Sequence, residues 1–364
     1  MLADWNRKPK LEFLRVTQIY LRPLGLIFGQ DASEMIASGL AFSLGGIPHI
    51  GFVAAEEVIR NGKAISRRLI GLSELRAHSL IENVTRRRPD FAGLSLGQTR
   101  IMGIVNVTPD SFSDGGKFDG AEAAIAHGRM MIEQGADILD IGGESTRPGS
   151  DDVSIDQERA RIMPVISALA PENVISVDTR KSILMSEAAA AGAKIINDVS
   201  ALGYDSASAA VVAKVGMPII LMHAQGNPRT MQLAPKYDDV ALDVYDTLVA
   251  SIDKAEAAGI ERSKICVDPG IGFGKSFNHN LDVMRQLTLF HGLGVALLVG
   301  LSRKGFVGAV TGEKTAAKRV AGSLGGALQA SMMGAHLLRV HDVVETVQSL
   351  AMFNAGLNPD SVDI

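Results

Sequence analysis

The sequence predicts an α/β protein: a (β/α)8 TIM barrel preceded by a smaller N-terminal α/β extension. Three observations carry this. From Arg100 onward, short apolar runs alternate with Ala-rich helical stretches, and the runs number eight: 101–107, 138–142, 174–177, 194–197, 217–222, 264–267, 296–300 and 336–340. Continuous apolar runs of this length suit strands buried on both faces, hence a parallel sheet under helices. Eight strand–helix units over about 260 residues match the usual size of such a barrel. A doubly wound sheet is the alternative, but the Gly-x-Gly-x-x-Gly expected after its first strand is missing.

Each connection has helical character. The stretches are 121–134, 154–170, 181–191, 206–215, 240–258, 281–290, 316–333 and 343–353. Residues 1–98 do not follow this plan. They hold two short apolar stretches, then a basic, helix-prone segment over 56–88 that ends in the run Arg86-Arg87-Arg88-Pro89-Asp90. The run reads as a solvated linker, since no aromatic residue interleaves it. A break near 91–96 divides the chain into an extension of unknown role (1–98) and a catalytic barrel domain (99–364).

Composition bounds the class. Of 364 residues 46% are hydrophobic and 21% charged, so a sizeable core can be buried and global disorder is excluded. A net charge of −4 argues against nucleic acid or a membrane surface as the main partner. A single cysteine, Cys266, excludes an intramolecular disulfide framework and any multi-Cys zinc site, and suits the cytoplasm. The basic start is followed by a stretch broken by Glu12, Arg15 and Arg22, with no clear cleavage site. Residues 35–55 are uncharged and long enough to raise the question of a membrane span, but Gly45, Gly46 and Pro48 give them a strand–turn reading.

In such a barrel the chemistry sits on loops after the carboxyl ends of the strands. Here these ends deliver Asn106, then Gly142 through Gly149, Asp178, Asn197-Asp198, His223 with Gln225, Asp268, Ser302-Arg303-Lys304, and Arg339 with His341. Any one acid or amide could be a helix cap. Capping does not explain all eight, nor the cations after the last two strands, which oppose the helix dipole unless an anion binds there. Asp178, Asn197 and Asp268 offer acceptors and an amide for the donor-rich edge of a flat heterocycle. Arg339 could stack on a ring or grip an oxyanion. Arg339, His341 and loop amides could hold a phosphate or diphosphate, and Asn106 could help bind a Mg2+ that keeps most of its waters.

Several motifs fail. Gly270-Ile271-Gly272-Phe273-Gly274-Lys275-Ser276 looks like a phosphate-binding loop, but Pro269 stands where its first glycine belongs. Gly300-Leu301-Ser302-Arg303-Lys304 is not a nucleophile elbow. His223, His279, His291 and His341 are too scattered for zinc. Cys266 lies inside an apolar run and reads as inert core.

The loop from Asn106-Val107-Thr108-Pro109-Asp110-Ser111-Phe112-Ser113-Asp114 to Gly116, and the stretch Asp140-Ile141-Gly142-Gly143-Glu144-Ser145-Thr146-Arg147-Pro148-Gly149, resemble the two signature loops of the dihydropteroate synthase family. Ser176-Val177-Asp178-Thr179, Asn197-Asp198, Met222-His223, the glycine loop after Asp268, Ser302-Arg303-Lys304 and Arg339-Val340-His341-Asp342 match in order. The resemblance implies a folate-pathway transferase that joins p-aminobenzoate to (7,8-dihydropterin-6-yl)methyl diphosphate. It implies that Asp178, Asn197, Met222, Asp268, Lys304 and Arg339 bind the pterin, and Thr146, Arg339 and His341 the diphosphate. Phe112, Thr146, Arg147, Pro148, Phe273 and Lys304 would shape the p-aminobenzoate pocket, where sulfonamides compete. Asp110 and Asp114 would steady a closing loop beside the catalytic Lys304, Asn106 would bind Mg2+, and the chain would be a homodimer.

Two features depart from the family: Gly305 stands where many relatives carry serine, and the extension is absent from compact members. Two alternatives remain at this stage. A corrinoid methyltransferase of the pterin-barrel type would keep Asp178, Asn197 and Asp268 but would not need Thr146-Arg147-Pro148 or Lys304. A degenerate pterin-binding protein would not retain every charged group around the ring.

Overall fold

The computed structural model describes residues 17–108, 117–145, 152–226, 231 and 234–357. The chain opens with four strands, β1 (Gln18–Phe28), β2 (Phe42–Leu44), β3 (Ile47–Asn61) and β4 (Ala64–Gly71), in one antiparallel sheet where β3 pairs with the other three. Helix α1 (Gly29–Ala37) follows β1, and α2 (Leu72–Leu75) and α3 (Ile81–Thr85) follow β4. The helix expected over 56–88 is thus corrected: its first part, 56–71, is a β-hairpin, and only the short helices α2 and α3 follow. Asn61 pairs with Ala64 around a two-residue loop whose first member, Gly62, has φ +61°. A glycine there gives the turn the twist its flanking strands need, and it outweighs the helical propensity of the charged residues on either side. Residues 35–55 hold the end of α1, β2 and the start of β3, a strand–turn arrangement as expected. Among the described residues no helix is long and apolar enough to cross a membrane.

The barrel follows as β5 (Arg100–Asn106), α4 (Lys117–Glu133), β6 (Ile138–Gly142), α5 (Ile155–Leu169), β7 (Ile175–Asp178), α6 (Ser182–Ala190), β8 (Ile195–Asp198), α7 (Ser208–Val215), β9 (Ile219–Met222), α8 (Val240–Ala257), β10 (Ile265–Asp268), α9 (Phe277–Arg285), β11 (Ala296–Val299), α10 (Gly305–Thr311), α11 (Val320–Met332), β12 (Leu337–Val340) and α12 (Val343–Leu357). All eight strands run parallel and β12 closes on β5. Helix α10 is additional to the expected eight, because Gly305 and Gly308 interrupt its apolar pattern. Ser154 caps α5 in a reciprocal box with Gln157, and Asp239 caps α8 through the Leu242 N–H.

The inward residues near the strand starts, among them Met102, Ile138, Ile195, Ile220, Cys266 and Leu337, pack with Phe91 and Leu96. The stretch 91–96 therefore plugs the amino-terminal end of the barrel. Cys266 is fully buried there, and burial pushes its thiol pKa well up, as fits an inert core residue.

The extension packs along the barrel wall. Tyr20 and its cross-strand partner Val58 belong to the barrel core, while Leu21, Phe52 and Ala55 face a small core of their own. Tyr20 donates to Asp246 of α8 at 2.9 Å, and Arg60 reaches Asp243 at 2.7 Å and Asp246 at 3.3 Å. The Leu297 N–H donates to His336 Nδ1 at 3.1 Å, so Nε2–H donates to the Gly45 carbonyl, also at 3.1 Å. The expected solvated Arg run is corrected at Arg88, which is 2% exposed and donates to the carbonyls of Arg86, Asn83 and His291. Carbonyl acceptors meet the guanidinium there, where no carboxylate among the described residues does. Tyr20→Phe leaves the Asp246 carboxylate short of a donor at this seam. It is expected to cost about 1–2 kcal/mol and lower the thermal midpoint by about 2–6 °C, read by calorimetry.

Candidate active site

The carboxyl ends of the strands carry the polar residues. Asp178 on β7 lies beside Asn197 on β8, Asp268 on β10 beside Met222 on β9, and Asn106 on β5 beside Gly142 on β6. Arg339 rises from β12 and reaches across the opening: its Nε donates to Asp140 Oδ2 at 2.5 Å and its terminal nitrogen to Asp178 Oδ2 at 2.8 Å. The same Asp140 oxygen accepts from Asn197 Nδ2 at 3.0 Å. An ionised carboxylate only accepts, so the amide nitrogen of Asn197 is fixed downward and its Oδ1 is left to accept from a ligand. Asp140 is fully buried and was not among the candidates read from sequence. Its signal was present all the same, as a lone acid inside the apolar run of β6.

The acceptors repeat one pattern. Asp178 commits one oxygen to Arg339, and Asp268 commits one to the Gly270 N–H at 2.7 Å. Each has a second oxygen for which no hydrogen bond is formed among the described residues. Burial pushes the Asp178 carboxyl up to about 8, with Asp140, Glu158 and Asp198 adding to it and Arg339 opposing. Burial also raises Asp268, against Lys304, the Gly270 N–H, Lys275 and Arg339. Arg339 stays charged: burial works against it, but Asp140 and Asp178 outweigh that.

Lys304 lies at the start of α10, with Nζ 4.6 Å from the Phe273 ring centroid and donating to the Ile271 carbonyl. Burial lowers its ammonium to about 8, with Asp268 opposing and Arg339 adding. His341 lies beside Ser302, its Nδ1 3.1 Å from the hydroxyl. The structure thus gathers Asp178, Asn197, Asp268, Lys304 and Arg339 around one mouth, with Met222 buried in its wall. Arg303 is a correction: it was counted among the cations of the mouth, but it pairs with Asp342, Nε to Oδ2 at 3.0 Å. Its backbone takes φ +59°, in the left-handed region. Gly305 is exposed, and a Cβ built on it meets nothing within 4 Å.

Asp110, Phe112, Asp114, Thr146, Arg147 and Pro148 lie outside the described residues. The two flanks of 146–151 are tied to the loop after β7. Glu144 accepts two bonds from Arg180 at 3.0 Å and one from the Val153 N–H at 3.0 Å, while Arg180 also holds Asp152 at 2.7 Å. Lys181 joins Glu144 at 3.2 Å and also binds Glu158. Each of these buried charges is matched by an opposite one, as burial requires.

Comparison with known proteins shows the family. The model of the pterin binding enzyme family matches residues 102–341. The chain is 47% identical over 267 residues to the dihydropteroate synthase of Escherichia coli K12, covering 73% of this chain and 94% of that one. It is 42% identical to the Bacillus subtilis enzyme of the same name, over 73% of this chain and 91% of that one. Among solved structures it is similar to Xanthomonas albilineans dihydropteroate synthase with 4-aminobenzoic acid, at TM-score 0.70 and 47% identity over 76% of this chain and 99% of that one. The same enzyme in complex with 7,8-dihydropteroate matches at TM-score 0.67 and 45% identity, over 74% and 97%.

Proposed function

We propose a reaction path from one premise: the chain belongs to the pterin binding enzyme family, and within it to the dihydropteroate synthases. It condenses (7,8-dihydropterin-6-yl)methyl diphosphate with p-aminobenzoate, giving 7,8-dihydropteroate and diphosphate. The observation that carries the residue assignments is the set of three buried acceptors, Asp178, Asn197 and Asp268, each with an oxygen to spare beside Lys304 and Arg339. A pterin presents N–H donors along its pyrimidine and dihydropyrazine edges and acceptors at its carbonyl and N5. The three oxygens take the donors, Lys304 donates back, Met222 lines the pocket and Arg339 covers the ring face.

The reaction needs no enzyme nucleophile. The bond between the pterin methylene and the diphosphate oxygen breaks, and its electron pair leaves with the diphosphate. The aniline nitrogen attacks the resulting cation and then loses a proton. Arg339 and His341 neutralise the departing charge and Thr146 donates a hydrogen bond to it. Phe112, Thr146, Arg147, Pro148, Phe273 and Lys304 receive p-aminobenzoate, and Asp110 and Asp114 steady the loop that excludes water from the cation. Among the described residues no three His, Cys, Asp or Glu side chains converge on a metal position, while Asn106 ends β5 with an oxygen to offer. Asn106 would hold a Mg2+ there, whose chemistry would be to spread the diphosphate charge. Residues 99–364 form the catalytic domain, working in the cytoplasm as a homodimer, with small molecules as its partners in place of nucleic acid or membrane.

The test is diphosphate release. Steady release should require p-aminobenzoate and be matched by dihydropteroate, mole for mole. Methyl transfer from a methylated tetrahydrofolate, or pterin binding with no product, would overturn the reading. Arg147→Ala should raise KM for p-aminobenzoate by about tenfold or more, since a charge-assisted hydrogen bond to its carboxylate is worth about 1.5–3 kcal/mol, with KM for the pterin diphosphate little changed. Paired initial-rate measurements decide this.

A further inference from the structure

We propose that Lys275 is a positioning residue: its ammonium ties the loop after β10 into the one shape that holds Asp268 and Lys304 ready for the pterin. This rests on the roles given to those two residues above. Lys275 ends the stretch that resembles a phosphate-binding loop in sequence, yet its side chain turns inward and is 2% exposed. Nζ donates to the carbonyls of Gly270 at 2.9 Å and Phe273 at 3.2 Å, and lies 2.8 Å from His223 Nδ1. Three donors meet three acceptors, so none remains for an anion. Burial holds the ammonium well below its ordinary pKa, against the pull of Asp268, and burial with the Lys275 charge also lowers His223. Nδ1 of His223 therefore accepts, and the ring is neutral.

Two chains of bonds run outward from this knot. In the first, the Gly270 carbonyl that receives Lys275 belongs to the residue whose N–H orients Asp268 at 2.7 Å. The His223 N–H donates to the Asp268 carbonyl at 2.9 Å, which closes a ring from β10 through the loop to β9. Gly270 has φ +66°, and a Cβ there would stand 1.8 Å from the His223 carbonyl oxygen, so the ring admits only glycine at that point. In the second chain, Phe273 gives its carbonyl to Lys275 and its ring to the Lys304 ammonium, while Ile271 gives its carbonyl to Lys304. The protein groups that hold Lys304 Nζ are thus strung on residues 271–273, between the two carbonyls that Lys275 gathers. Asn280 of α9 braces the middle separately, accepting from the Gly272 N–H at 2.6 Å. The charged groups acting on Lys304 are Asp268 from β10 and Arg339 from β12, and Lys304 in turn lowers Lys275 in the loop.

Lys275→Met keeps the stem and removes the three bonds; Lys275→Gln keeps a single polar head and is the milder variant. Both are measured for kcat/KM with the pterin diphosphate from pH 6 to 10, for binding of the substrate by calorimetry, and for thermal midpoint. The expected result for Lys275→Met is a loss of about 10- to 100-fold in kcat/KM, the scale of a misplaced binding group. The alkaline limb should move to higher pH as Lys304 loosens toward water, and Lys275→Gln should recover part of both. Folded Lys275→Met with an unmoved alkaline limb, or an equal loss in every constant without that movement, overturns the proposal. If Lys275→Met does not fold, the same limb in Lys275→Gln decides it, and an unmoved limb there overturns it too. Wild-type protein that forms no dihydropteroate would instead refute the assigned reaction.

Discussion

Lys304→Ala abolishes turnover while leaving the fold in place: kcat/KM is expected to fall about a thousandfold or more, with the thermal midpoint shifted by only a few degrees. The ammonium is the cation that the loop after β11 brings to the mouth, since Arg303 is engaged with Asp342. Its structural bonds are few, a carbonyl and a ring face, both belonging to the loop it helps to shape. Truncation leaves Asp268 without its strongest counter-charge in a buried setting, and burial then favours the neutral carboxylic acid there. One substitution therefore removes a donor to the ligand and weakens an acceptor beside it. The sign of the pH dependence follows. Lys304 loses its proton near pH 8, so wild-type kcat/KM falls above that value, and the variant's residual activity should lack this limb. Steady-state rates across pH, with circular dichroism to check the fold, give the result. Turnover within threefold of wild type would remove Lys304 from the chemistry.

The barrel was legible because a parallel sheet buried on both faces leaves eight largely apolar runs, most of them ending in a residue too polar for its position. Asp178, Asn197, Asp268 and Arg339 all stood out in that way. The extension was misread over 56–71 because its charges are spent in ion pairs that a sequence does not show: Glu56, Glu57 and Arg60 look helical in composition but meet Arg67, Arg68 and Asp243, and only Asn61-Gly62 marks the hairpin. Arg88 was misplaced because carbonyl acceptors leave no trace in a sequence, whereas a partner carboxylate would have. Asp140 and Lys275 escaped for a related reason. Their work is done on Asn197, Arg339, Asp268 and Lys304 through contacts that only the closed barrel brings about.

Asp268→Asn tests the acceptor set more sharply than truncation would. The substitution is nearly isosteric, and the Gly270 N–H still demands an oxygen at 2.7 Å. The amide must therefore turn its carbonyl toward Gly270 and its Nδ2 toward the ligand. A pterin edge that offers N–H donors then meets a donor, so one bond is lost and two hydrogens face each other in a buried place. Sites built on buried polar pairing reject a mismatched partner by about 10^4-fold, against about tenfold for a single exposed bond lost. Pterin affinity should fall by about three orders of magnitude or more, while the thermal midpoint stays close to wild type because the Gly270 bond survives. Calorimetric titration with a pterin diphosphate analogue reads the affinity directly. Asp268→Ala would lose the Gly270 bond as well and would mix positioning with recognition. A variant Asp268→Asn that binds the pterin as tightly as wild type would mean that this carboxylate holds its own loop and nothing more, and that the donor edge is read by Asp178 and Asn197 alone.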